Sequence, residues 1–119
     1  MKASRLIFFL LFCVAFSVSE KAVAQIIKTS LTVTVRDDLG NTVEGATVKL
    51  YEQEADYNAE KNEAASGVTD AKGVVKFKNM KGIAYFILAR KDDKDNAGGG
   101  EQTGQLEAKK FNKVTIVIQ

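Results

Sequence analysis

The sequence predicts an all-β protein, a seven-stranded, two-layer Greek-key β-sandwich. Three observations carry that prediction. Apolar and polar residues alternate in several short runs, as in Leu31-Thr32-Val33-Thr34-Val35-Arg36, the period of a strand with one buried face. Turn-forming clusters separate the runs, among them Asp37-Asp38-Leu39-Gly40-Asn41 and Asp70-Ala71-Lys72-Gly73. No long helical period is present, and no internal repeat at solenoid or propeller spacing. Short alternating strands with frequent turns are the pattern of a sandwich.

The N-terminal segment stands outside that fold. Lys2 and Arg5 precede a 13-residue apolar run, Leu6–Val18, and Ala22-Val23-Ala24 offers small residues for cleavage. The run is short for a membrane span and suits the apolar region of a secretory signal. Residues 1–24 are therefore expected to be a cleaved signal peptide and residues 25–119 a single domain, with an uncleaved anchor as the alternative. Lipidation at Cys13 is not supported, because Phe12 stands where a small residue is needed. The expected mature chain of 95 residues suffices for one core. The one cysteine leaves with the signal, and with it any disulfide, thiolate nucleophile or Cys-ligated metal. Three of 17 basic and one of 15 acidic residues leave as well, so 14 of each remain and the net charge is zero. No field then steers the chain to nucleic acid or to an anionic membrane. Export without cysteines points to a bacterial periplasm or cell envelope, or to the outside of the cell, with no membrane span in the mature chain.

The elements follow in order. The first strand is expected over about 28–36, after a lead-in containing Ile26 and Ile27. The turn region 37–45 leads to a second strand, 46–52, with Ala46, Val48 and Leu50 on one face and Thr47, Lys49 and Tyr51 on the other. The polar stretch 53–66 favours one or two helical turns around 56–62, with Asp56 as cap, inside a surface connection. Residues 67–78 read as a hairpin about Asp70-Ala71-Lys72-Gly73, with Val75 and Phe77 inward and Lys76 and Lys78 outward. The lysines Lys72, Lys76, Lys78 and Lys81 read as a solvated surface. Residues 83–90, IAYFILAR, are the most continuously apolar segment after the signal, as in a strand covered on both faces or a central strand with aromatic outer contacts. A long polar loop is expected over 91–104, a short strand over 105–110, and a last strand over 113–118 with Val114, Ile116 and Ile118 inward.

The chemistry available is narrow. The chain has no histidine. That removes Ser-His and Cys-His nucleophilic catalysis, His-ligated catalytic zinc and imidazole acid–base work. The paired acids Asp37-Asp38 and Asp92-Asp93 lie in polar turns, without the burial that would raise a carboxyl pKa. The run Asp92-Asp93-Lys94-Asp95-Asn96-Ala97-Gly98 resembles a calcium loop at first sight. Lys94, however, occupies a ligand position, and the twelfth position is Thr103 rather than glutamate. No metal and no cofactor are expected.

The segments VRDDLGNTVEGATVKLYE, GVTDAKGVVKFKNM and IAYFILAR resemble the carboxypeptidase regulatory-like domain, a transthyretin-like (prealbumin-like) sandwich of seven strands. The matching positions are Asp37, Gly40, Gly45-Ala46 and Thr69-Asp70-Gly73, and the likeness covers nearly all of residues 25–119. A stand-alone domain behind a signal looks like small exported proteins of Bacteroidetes-type bacteria. These motifs are turn and core signals, so the resemblance implies a fold more strongly than a function. The related hydroxyisourate hydrolases use histidines and a C-terminal Tyr-Arg-Gly-Ser motif, whereas this chain ends Thr115-Ile116-Val117-Ile118-Gln119. The similar Cna B-type domains place an isopeptide-forming lysine where this chain has Val33, Thr34 and Val35; Lys28 and Asn112 are misplaced for that bond.

The expected function is that of a non-enzymatic, exported binding or scaffold module whose partner is an envelope protein or a glycan. The alternative is a carbohydrate-binding module. Contacts are expected in the loops 53–66 and 91–104 or along an exposed sheet edge, with Tyr51, Tyr57, Asp92, Asp93, Asp95 and Asn96 as candidates. A sugar platform needs exposed aromatics, and Tyr51 and Tyr57 are the plausible ones in a chain without tryptophan.

Overall fold

A computed structural model describes residues 28–119; the expected signal peptide and the lead-in, Ile26 and Ile27 included, lie outside them. Seven strands and one short helix follow in chain order: β1 (Ser30–Asp37), β2 (Thr47–Tyr51), α1 (Glu54–Ala59), β3 (Ala65–Val68), β4 (Val74–Phe77), β5 (Phe86–Lys91), β6 (Lys94–Asp95) and β7 (Phe111–Ile118). They form the two layers of a sandwich, ordered β4-β1-β7 and β3-β2-β5-β6. In the first sheet β1 is central, antiparallel to β4 and parallel to β7 over its whole length. In the second, β2 and β5 pair antiparallel at the centre. Neighbours in each sheet are mostly non-consecutive in the chain, as Greek-key routing requires.

The alternation of apolar residues fills the space between the sheets. Leu31, Val33 and Val35 of β1 and Ile116 and Ile118 of β7 meet Val48 and Leu50 of β2 and Ile87 and Ala89 of β5. Each large apolar side chain removed from water there stabilises the fold by about 1.5–3 kcal/mol before entropy is counted.

Several sequence expectations change in three dimensions. The two strands joined by the turn region 37–45, β1 and β2, do not pair with each other, because they lie in different sheets. After β1 the chain turns at Asp37–Asn41, pairs back at Arg36–Thr42, and then crosses. Asp37 Oδ1 accepts from the N–H groups of Leu39 and Asn41, both at 3.0 Å, and Gly40 takes φ +87°. Likewise 67–78 is not a hairpin: β3 pairs with β2, and β4 with β1. Local turn chemistry is nonetheless as expected, since Asp70 Oδ1 accepts from Lys72 and Val74 and Gly73 sits at φ +75°. The crossing is pinned by Thr69, whose buried Oγ1 accepts from Ala46 N–H at 2.9 Å and donates to the Val43 carbonyl at 2.6 Å.

Three further corrections concern element limits. Asp56 does not cap the helix; Gln53 is the N-cap, without a side-chain bond, and Asp56 stands in the first turn. Residues 105–110 form no strand, although Leu106 is buried, because their backbone pairs only singly with the 82–83 turn. The last strand begins at Phe111 rather than 113.

Candidate functional site

The two polar connections, 53–66 and 91–104, come together on the outer face of the four-stranded sheet. The reason lies in β2 and β5. Tyr51, Phe86 and Leu88 point away from the central core, which explains why the apolar run continues unbroken through Ala89. α1 covers this second apolar patch with Tyr57, whose ring meets Tyr51 edge-on at 6.0 Å and Phe86 at 5.6 Å. A helix of six residues has little stability of its own, so this packing holds it. Glu54 and Asp56 in the first turn complement its dipole, and Glu60, in the left-handed region at φ 53°, closes it.

The second connection is anchored rather than loose. β5 and β6 join through a two-residue turn, Asp92-Asp93, with Asp92 at φ 55°. Beyond β6, Asn96 takes the place of a strand along the free side of β5. Its Oδ1 accepts from Ala89 N–H at 2.8 Å, and its Nδ2 donates to the Ile87 carbonyl at 3.0 Å and to Glu101 Oε1 at 3.2 Å. Thr103 continues the cover, its N–H donating to the Tyr85 carbonyl and its Oγ1 accepting from Tyr85 N–H. The long polar loop expected over 91–104 thus contains β6 and an edge that pairs with β5.

Two sets of bonds tie the connections to each other. The Tyr57 hydroxyl donates to the Asn96 carbonyl at 3.4 Å and accepts from Gly100 N–H at 3.3 Å. Arg90 pairs with Glu60 at 2.8 Å and with Asp95 at 3.3 Å. The guanidinium bond to Glu60 holds that carboxyl below its ordinary range, and Glu60 in turn holds Arg90 above its own. Beside this platform lies an open polar basin of about 450 Å³, bordered by Thr47, Lys49, Arg90, Lys91 and Asp92.

The candidate residues separate into two groups. Tyr51 and Tyr57 are 0% and 4% exposed, so neither ring offers a sugar platform at the surface. Burial also pushes the Tyr51 phenol up, with Glu63 and Glu60 adding to the effect, and its hydroxyl has no hydrogen-bond partner. Asp95 and Asn96 are engaged in holding the loop. Asp92 and Asp93 remain exposed at the tip and can meet a partner. The sequence reading passed over Lys49, Arg90 and Lys91. Their signal was the outward register of Thr47 and Lys49, which pair with Arg90 and Leu88 across the sheet. Among the described residues no cluster of three or more acidic, histidine or cysteine side chains could hold a metal ion. No helix among them is long and apolar enough to cross a membrane.

The architecture defines the class: an all-β sandwich that carries a helix-and-loop platform on one sheet. Among solved structures it is similar to the Bacillus anthracis TIE protein, with a TM-score of 0.52 and 22% identity over 77% of this chain and 17% of that one. It is also similar to BcpA, the major pilin subunit of Bacillus cereus (TM-score 0.49, 24% identity, 77% of this chain and 30% of that one). The chlorocatechol 1,2-dioxygenase of Pseudomonas putida matches at TM-score 0.45 and 13% identity, over 76% of this chain and 60% of that one. The chain thus spans less than a third of the length of the first two, and at these identities the likeness concerns the fold alone. No family model matches the chain, and no curated protein is significantly similar to it.

Proposed function

We propose that this chain is a non-enzymatic, exported module of the bacterial cell envelope, of the carboxypeptidase regulatory-like type, that binds a protein partner through the platform of α1 and 91–104. One observation carries the reading. Two polar connections far apart in sequence are locked together by Tyr57, Asn96 and Arg90 on a rigid sheet, while charged groups stay free at the rim. Rigid scaffolds that hold shaped polar loops are suited to recognition. Lys49, Lys91 and Asp92 around the basin, with Asp93 beside it at the loop tip, supply a rim of mixed charge that favours one docking orientation over others. The envelope assignment rests on the signal pattern of residues 1–24. The absence of histidine and, among the described residues, of any buried Asp or Glu support a role without catalysis.

The test is site-specific crosslinking in the producing cell. A photo-reactive residue at Asp93 is expected to capture a defined envelope protein, and the same residue at Thr34, on the opposite sheet, is not. Charge reversal by Asp92→Lys with Asp93→Lys should abolish the capture. Equal capture from both positions, or capture that survives the reversal, refutes the assignment of this surface.

A further inference from the structure

The outer face of the three-stranded sheet carries a second, different surface. Strand register aligns Lys76, Thr32 and Lys113 in one row, with Thr34 and Thr115 in the next and Arg36 beyond. No acidic residue shares the outward positions of Ser30, Thr32, Thr34 and Arg36 on β1, Val74 and Lys76 on β4, or Phe111, Lys113, Thr115 and Val117 on β7. Among the described residues, neither Lys28, Lys78 nor any cation of this face pairs with a carboxylate. Residues 28–119 hold 14 basic and 14 acidic side chains, so the face is basic by segregation and not by excess.

One end of the face is concave. Lys28, Lys76, Lys78 and Asn79 surround an open pocket of about 450 Å³ that Phe111 and Ser30 also line. Phe111 is 70% exposed, with Lys76 Nζ 5.0 Å from its ring centroid. Ser30 is 4% exposed, and its hydroxyl has no hydrogen-bond partner. That hydroxyl is closed off beneath the pocket, so the groups a ligand can reach there are the lysines and Phe111.

We propose that this face binds an acidic polysaccharide, one bearing uronate or sulfate groups, laid across β4, β1 and β7 with a sugar ring against Phe111. An exposed aromatic ring takes the apolar face of a pyranose, as sugar sites require, and it is a different ring from the buried tyrosines. The backbones of Lys76 and Lys113 lie two strand spacings apart, roughly 10 Å, and the Lys76 ammonium reaches over to the Phe111 ring, so cations stand beside the aromatic where the acid groups of a stacked sugar would lie. The threonine hydroxyls between them can bond the sugar hydroxyls. Single-stranded nucleic acid would call for a series of stacking aromatics, and this face has one. An acidic peptide would gain most by adding as a strand to the free edge of β7, leaving Phe111 and the cationic row unused. The inference goes beyond the protein-binding platform on the other sheet and does not depend on it.

Calorimetric titration of the purified protein tests the proposal with four probes: oligogalacturonate, chondroitin sulfate oligosaccharide, neutral dextran and polyglutamate. At least one acidic glycan should bind, more weakly as salt rises, and dextran should not. Phe111→Ala should weaken that binding roughly tenfold, the size expected for losing one aromatic contact. Lys76→Gln with Lys113→Gln should weaken it at least as much and flatten the salt dependence. Unchanged urea midpoints would show that these exposed substitutions leave the fold intact. The Asp92→Lys, Asp93→Lys variant should bind the glycan as the parent does, which separates this surface from the platform. The proposal is overturned if neither acidic glycan binds, if polyglutamate or dextran binds as tightly, or if Phe111→Ala has no effect. A salt-sensitive dimer lost in the Lys76, Lys113 variant would also overturn it, by assigning the basic face to a second copy.

Discussion

Replacing Asn96 with alanine should unfold the edge of β5 from the side. The amide is 9% exposed and serves two backbone groups of β5 that no strand reaches. Truncation strands the Ala89 N–H and the Ile87 carbonyl and breaks the contact to Glu101. A buried polar group left without a partner costs about 1–3 kcal/mol, so the two together should cost about 2–5 kcal/mol. That is a large fraction of the roughly 5–15 kcal/mol by which such domains are stable. Urea titration followed by circular dichroism measures it, as a lower midpoint with an unchanged slope. Asn96→Asp sharpens the test. The carboxylate still accepts from Ala89 N–H, but it cannot donate to the Ile87 carbonyl, and it faces Glu101. Its deficit should shrink as pH falls below the ordinary carboxylate range, because protonation restores a donor. A loss below about 0.5 kcal/mol for Asn96→Ala, within the spread of ordinary surface substitutions, would refute the view that this side chain replaces a strand.

Three other outcomes are expected. Thr69→Val keeps the shape but removes the hydroxyl between Ala46 N–H and the Val43 carbonyl, and should cost about 1–3 kcal/mol by the same urea measurement. Gly73→Ala should cost more than Gly98→Ala in thermal melting. Both glycines have positive φ, with a penalty of about 1–2 kcal/mol for a side chain, but a Cβ on Gly73 would stand 2.8 Å from Thr42 Cβ and 3.1 Å from the Val35 carbonyl, whereas Gly98 has open space. Glu60→Gln should flatten the acid side of the stability profile. The folded-state carboxyl lies below its ordinary 4.5, so its contribution is complete at neutral pH and is lost as pH falls from about that value through the folded one. The pair with Arg90 is two-fifths exposed on each side, so the change should stay below about 1 kcal/mol.

How much of the site was legible follows from where its bonds are made. Asp37, Asp70, Gly40 and Gly73 act within a few residues of themselves, and their roles could be read directly from the turn chemistry. Tyr51 and Tyr57 were chosen as exposed aromatics because nothing local tells an outward residue on an open sheet from one beneath a helix. Phe111 went unnoticed because it lies ahead of the run first taken as the last strand. Yet Phe111, Lys113, Thr115 and Val117 alternate outward from the start of β7.

By itself the sequence determined the sandwich class, the inward faces of β1, β2, β4 and β7, and the positions of the turns. Period-2 alternation and turn propensity are local properties that a strand keeps in whichever sheet it joins. Only the tertiary structure decided which strands pair. β1 lies beside β4 and β7, its neighbours in sequence join the other sheet, and the parallel β1–β7 pairing spans most of the chain. It also decided that Asn96 completes a sheet edge and that Arg36, Lys76 and Lys113, none paired with a carboxylate, share one face. Both depend on residues brought together by burial of the common core, a contact no local pattern encodes.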